Sequence, residues 1–174
     1  MNPMSAWAFA LELYERPGMA GAFLTLQDQL GVDVDVMLFA LFAACERGVA
    51  LDKQRLADAD AVVRAWRLEV IEPLRALRRS MKSLALNEAQ KEVRQMVKDA
   101  ELRAEQVEIG MLEAWFGGFV EPSLPRTRQS SALSDLPLQV ATFFAAQSGT
   151  DPAVMTQPAI VQALQKVQGA LARP

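Results

Sequence analysis

PGMAGAFLTLQDQLGVDVDVMLFALFAACERG, residues 17–48, is the stretch on which the fold turns. Ala20, Phe23, Leu24, Gln27 and Leu30 recur at spacings of three and four, the pattern of a helix over about 17–30. Pro17 suits its first position, and Gly31 supplies the left-handed residue that ends it. Asp33 or Asp35 then caps a second helix, about 34–47, where a carboxylate also favours the positive end of the helix dipole. From Val36 to Cys45 this helix is apolar without interruption. A helix that is apolar on every side must be covered by several neighbours. Arg47 and Gly48 close it. The remaining chain is therefore read as cover for a buried rod.

Working outward, residues 5–15 form an amphipathic helix capped by Ser5 or Asn2, with Trp7, Ala10, Leu11 and Tyr14 on one face. A short helical turn is expected near 52–57. Asp58 or Asp60 then opens a longer helix to about Leu84, striped by Trp66, Val70, Leu74, Leu77, Met81 and Leu84. Because the stripe runs past Pro73, a kink near 69–73 is expected and not a break. Asn87 caps the longest helix, about 88–116, whose line Val93, Val97, Ala100, Ala104, Val107, Met111 and Ala114 has the spacing of a coiled-coil seam. Two long striped helices joined by a short loop imply an antiparallel hairpin. Residues 1–120 thus read as a helical bundle domain and 121–134 as a polar linker. Residues 135–174 read as a C-terminal helical pair docked on the bundle, with helices 135–147 and 152–171 and an interruption at Pro158. Strand-like alternation and internal repeats are absent from the sequence. The expected fold is all-α: a single-domain bundle of about five or six helices around a buried apolar helix, with a C-terminal helical pair.

The residue inventory removes most enzyme classes. The 174 residues contain no histidine and a single cysteine, Cys45, inside the apolar run. Histidine-dependent nucleophile arrangements, intramolecular disulfides and cysteine zinc clusters are thereby excluded. A formal charge of −3 gives no overall pull toward nucleic acid. The N-terminal stretch lacks the basic region of a signal peptide, and no apolar run spans a bilayer, so a cytoplasmic protein is expected.

Two charged clusters stand out. Asp28, Asp33 and Asp35 are three carboxylates within eight residues, able to ligate Mg²⁺ or Ca²⁺, but two capping aspartates plus one surface acid explain them without a metal, and that is the expected reading. Residues 64–82 hold six bases against two acids, and Arg64, Arg75, Arg78, Arg79 and Lys82 project to one side of their helix. Such a face suits phosphate or an acidic partner. It suits equally a solvated surface or pairing with the acidic first fifty residues, which hold six acids against two bases. Aromatic interleaving for base stacking is missing, so nucleic acid is not the expected partner. The methionines, among them Met19, Met37, Met81, Met96 and Met111, are read as core.

Leu26-Gln27-Asp28, Gly31, Asp33-Val34, Leu38-Phe39 and Gly48, with Trp66, Val70, Pro73-Leu74-Arg75 and Arg78-Arg79, resemble an uncharacterised family of proteobacterial conserved hypothetical proteins. Trp7, Leu13-Tyr14 and Arg16-Pro17-Gly18 fit the same pattern, over roughly residues 5–115. The family pattern has asparagine where this chain has Asp35, a residue that caps a helix equally well. The resemblance implies a small all-helical bacterial protein and carries no activity. The primary expectation is a protein-interaction or adapter module without catalysis or cofactor, its partner and oligomeric state open. The alternative is a small-molecule or divalent-metal site using Asp28 and Asp33, with Arg75 or Arg78 on an anionic ligand.

Overall fold

The computed structural model describes residues 4–118 and 130–171, with side chains throughout except at 130–134. Its helices are α1 Ala6–Tyr14, α2 Met19–Leu30, α3 Val34–Arg47, α4 Lys53–Trp66, α5 Glu72–Lys82, α6 Glu88–Gly117, α7 Ser130–Gln147 and α8 Pro158–Leu171. No strand occurs among the described residues. The fold is all-α, as the periodicity requires.

The rod is α3. Every residue from Asp35 to Ala44 is buried. Phe42 meets Phe9 of α1 edge-on at 5.9 Å, and Phe39 meets Phe116 of α6 at 5.6 Å. Such aromatic contacts add to the area that they bury. Cys45 is only partly buried, because the last turn of α3 reaches the edge of the covering helices. The caps follow local chemistry. Ser5 Oγ accepts from Ala8 N, and Asn87 forms a reciprocal box with Gln90.

The C-terminal pair packs into the same core. Leu136, Val140, Ala141 and Phe144 of α7 and Ile160, Leu164 and Val167 of α8 join one continuous apolar cluster with α3. The second expected helix begins later than its first proline: Pro152–Thr156 is a 3₁₀ turn, and α8 opens at Pro158. The preceding helix opens at Ser130, ahead of the expected 135, and residues 121–129 of the expected linker lie outside the described residues.

Three local expectations are corrected. Asp52, not Asp58 or Asp60, caps the fourth helix by accepting from Arg55 N at 2.9 Å. The expected turn at 52–57 is therefore the first part of α4, and Asp60 lies in its interior, fully buried. On α6 the buried line is Glu101, Ala104, Glu108, Leu112 and Phe116, whereas Val93 of the expected seam is 51% exposed. The outer hairpin also stands clear of the core. Leu77, Leu84 and Met96 are exposed, and α5 buries no residue.

Between α4 and α5 lies a π-helical turn, Arg67–Ile71, closed by Glu72 N–H donating to Arg67 O. Its cause is Pro73, which has no N–H for the Glu69 carbonyl and whose ring would crowd it. Widening the turn keeps the chain helical through the proline, so the expected kink takes the form of a π-bulge. Such bulges recur where side chains are aimed at a site.

Candidate functional site

The site begins at a glycine. Gly31 has φ +67°, and a Cβ there would come within 3.2 Å of Ser148 Cβ. The left-handed backbone favours glycine, and a Cβ would fit only if Ser148 gave way by a few tenths of an ångström. Ser148 Oγ, at the end of α7, donates to Leu30 O at 3.1 Å. This contact seats the α2–α3 turn against α7 and fixes the direction of Asp33.

Asp33 has two separate roles. Its Oδ1 accepts from Asp35 N at 2.9 Å and Val36 N at 3.1 Å, capping α3. Its Oδ2 accepts from Arg67 Nη1. Arg67, delivered by the π turn, donates through Nη2 to Asp60 Oδ1 at 2.5 Å and lies over the Phe144 ring at 5.8 Å. Asp60 Oδ2 accepts from Arg64 Nε at 3.0 Å and from Gln147 Nε2 at 3.4 Å. One guanidinium thus joins α3, α4 and α7.

Against this pair stands Glu108 of α6. It is 1% exposed, and neither carboxylate oxygen accepts a hydrogen bond from any donor among the described residues. Oxygens of Asp33, Asp35 and Glu108 lie within 4.8 Å of one another. Asp33, Asp35, Asp60 and Glu108 are all buried, and the basic groups near them are Arg67, the half-exposed Arg64 and, toward Asp35, Arg75, which is itself shared with Glu101 and Glu105. Buried negative charge is in excess. Burial, and then the charges of Asp33 and Asp35, push the Glu108 carboxyl up to about 11. It therefore carries a proton at neutral pH, which it shares with Asp33. Burial, followed by Asp33, likewise raises Asp35 well above the usual carboxylate range. Asp60 behaves oppositely: burial would raise it, but hydrogen bonds from Arg67 and then Arg64 outweigh that and hold it below the usual range.

A pH dependence follows. With a folded pKa near 11 and an unfolded value in the ordinary carboxylate range, Glu108 binds its proton more tightly in the native state. Its contribution is complete below the unfolded pKa and is lost as pH rises toward the folded one. Urea unfolding of metal-free protein is expected to show stability falling between pH 5 and 8, by about 1.4 kcal/mol per pH unit for this proton. A flat or rising profile over that range would contradict the protonated state.

The trio faces a cleft of about 550 Å³, lined also by Asp28, Arg64, Arg67, Arg75 and Arg79. Arg79 Nη2 donates to Asp28 Oδ1 at 3.0 Å, an exposed pair between α5 and α2. Arg75 donates to Glu101 at 3.1 Å and Glu105 at 2.7 Å, and Arg78 to Glu101. Of the residues singled out from sequence, Asp28, Asp33, Arg64, Arg75 and Arg79 come together around the cleft. Arg78 lines a neighbouring groove, and Lys82 lines neither. The basic face is thus largely paired with acids, chiefly Glu101 and Glu105 of α6. Asp33 takes Arg67 as its partner, outside the predicted set. Arg67, Asp60 and Glu108 are the functional candidates that the sequence reading passed over. Their signal was present: Asp60 and Glu108 share helix faces with Ala59, Val63, Ala104 and Leu112, all buried.

The model of the family described as "Protein of unknown function (DUF2390)" matches residues 5–112. The chain belongs to that family. The span matched by DUF2390 includes Asp33, Asp35, Asp60, Arg67 and Glu108, and ends before the α7 residues Phe144, Gln147 and Ser148 that close the cleft. No curated protein and no solved structure matches the chain. Among the described residues no helix is long and apolar enough to cross a membrane.

Chemically, the trio offers oxygen ligands alone. Carboxylate oxygens suit hard cations such as Mg²⁺, Mn²⁺ or Ca²⁺. An ion there would neutralise the excess charge and give Glu108 the partner it lacks.

Proposed function

We propose that this DUF2390 protein is a small-molecule-binding helical protein whose centre is a divalent cation held by Asp33, Asp35 and Glu108. The observation that carries this reading is Glu108: a carboxyl group 1% exposed, whose oxygens accept from no donor among the described residues, converging on two other buried carboxylates. Leaving a buried ionised group unmatched is costly, so native chains pair such groups with cations or hydrogen bonds. The cleft in front of the trio has the volume of a small-molecule site, about 550 Å³. Arg75 and Arg79 on its wall are suited to an anionic group.

The cation replaces the protons that Glu108 and Asp35 otherwise hold. Its binding is therefore expected to tighten as pH rises, since each displaced proton competes with it. The direct test is thermal unfolding of chelator-treated protein with and without Mg²⁺, Mn²⁺ or Ca²⁺. At one hundred times the dissociation constant, a specific ion stabilises by about 2.7 kcal/mol. For a chain of this size that is a melting-temperature rise of roughly 5–10 °C. Absence of a rise with all three ions, at pH 8 and millimolar concentration, would defeat the proposal.

A protein-interaction role, the first expectation from the sequence, would need a surface other than the apolar faces of α7 and α8. Those faces lie inside the core.

A further inference from the structure

A second cavity, a groove of about 360 Å³, adjoins the carboxylate cleft. Gln27, Asp35 and Arg75 line both, so the two spaces meet at Asp35, one member of the trio. Their linings differ. The cleft is charged, whereas the groove sets an apolar wall of Trp7, Leu11, Tyr14, Leu24, Leu38 and Leu102 opposite a charged side that includes Arg78, Lys98, Glu101 and Glu105. Tyr14 stacks on Phe23 with ring centroids 5.9 Å apart, which gives that wall a flat face. Leu11, Tyr14, Leu24 and Leu102 are each 39–46% exposed, an unusual concentration of large apolar side chains at one opening.

The geometry points to a carboxylate with an apolar tail as the ligand: its head completes the coordination of the cation at Asp35, and its tail lies in the groove. This rests on the cation reading above and names the substrate class for that site. Three arguments select this occupant. A cation held by three protein carboxylates keeps open positions for further oxygen ligands, since Ca²⁺ takes six to eight and Mg²⁺ six. Arg75, on the wall between the two spaces, gives Nε to Glu101 and Nη2 to Glu105, which leaves Nη1 as the donor for a carboxylate oxygen. The groove has room for about a dozen heavy atoms at about 30 Å³ each, which suits an alkyl chain or a ring and not a polymer.

The test uses Mn²⁺ with the series butanoate, hexanoate, octanoate and decanoate on the full-length protein. Affinity is expected to rise about fourfold per methylene until the groove is full. Mn²⁺ should broaden the proton resonances of the bound acid most at C2 and progressively less toward the tail. In Leu24→Asp and Leu102→Asp, at positions exposed enough to tolerate the change, Mn²⁺ binding should persist while decanoate affinity falls at least tenfold. If Mn²⁺ binds and the acids show no chain-length dependence, the groove inference is overturned and the cation site stands. If decanoate binds wild type and Glu108→Gln equally, with no Mn²⁺ bound to either, the cation reading fails, and with it the cation-bound head.

Discussion

Glu108→Gln is expected to make the metal-free protein more stable, not less. A buried acid that must be protonated to fold costs about 1.4 kcal/mol for each pH unit above its unfolded pKa. At pH 7 that amounts to about 3–4 kcal/mol for Glu108, whose folded value is pushed up to about 11. Glutamine keeps the shape, needs no proton, and presents an amide N–H₂ to Asp33 and Asp35 where the carboxyl has only one proton to share. The melting temperature should therefore rise by roughly 6–15 °C at pH 7, and by less at pH 5. The same variant should lose the stabilisation conferred by a divalent ion. Calorimetry of wild type and variant, each with chelator and with Mn²⁺, gives all four values. A variant less stable than metal-free wild type at pH 7 would mean that Glu108 is satisfied as an ionised group, and the excess-charge argument would fail. Few buried positions show a substitution that improves the fold while removing the proposed function, and this combination is the signature of a binding residue.

The bundle was legible because its pattern is redundant. Ten unbroken apolar residues leave α3 no place except the interior, and Asp33, Gly31, Gly48 and Asn87 mark their helix ends by local chemistry alone. The site was only half legible. Asp33 stands in the sequence as a cap or a ligand; one oxygen caps α3, and the other accepts from Arg67. Asp28, its neighbour in sequence, faces Arg79 at the surface and is not among the converging carboxylates. Periodicity reading treats an acid as a mark of the solvent side. It therefore drew the α6 seam through Val93, Val97 and Ala100 and missed Glu101, Glu108 and the true buried line. For the same reason Asp60 was taken for a cap. A polar residue in an apolar register is either an error of phase or a buried charge, and only the partner, here Arg67 from a turn that Pro73 widens, distinguishes the two. That partner lies outside any one-helix projection, because the π turn breaks the 100° phase on which the projection depends.

Arg67→Met is expected to cause the largest loss of stability of any single charge removal in the chain. The guanidinium is 13% exposed at its side chain and binds the 0%-exposed carboxylate of Asp60 and the 4%-exposed one of Asp33. Methionine fills much of the volume but leaves two interior carboxylates facing each other and Glu108 without a cation between them. Removing one partner of a buried pair costs about 3–5 kcal/mol. Here one oxygen on each of two carboxylates loses its donor, while Asp60 keeps Arg64 and Asp33 keeps its cap hydrogen bonds, so a loss within that range is expected, read from urea unfolding at pH 7. Arg67→Lys keeps the charge but has no planar fork to span two carboxylates, and should recover only part of the loss. The second-site variant Asp60→Asn separates packing from charge. In the Arg67→Met background it relieves the repulsion between Asp60 and Asp33 and should recover part of the lost stability, whereas in wild type it weakens an existing pair and should destabilise. Such a change of sign is an interaction energy of well over 1 kcal/mol in a double-mutant cycle. Additive effects would mean that Arg67 acts through its contact with Phe144 and α7, and not as the cation that holds α3 and α4 together around the site.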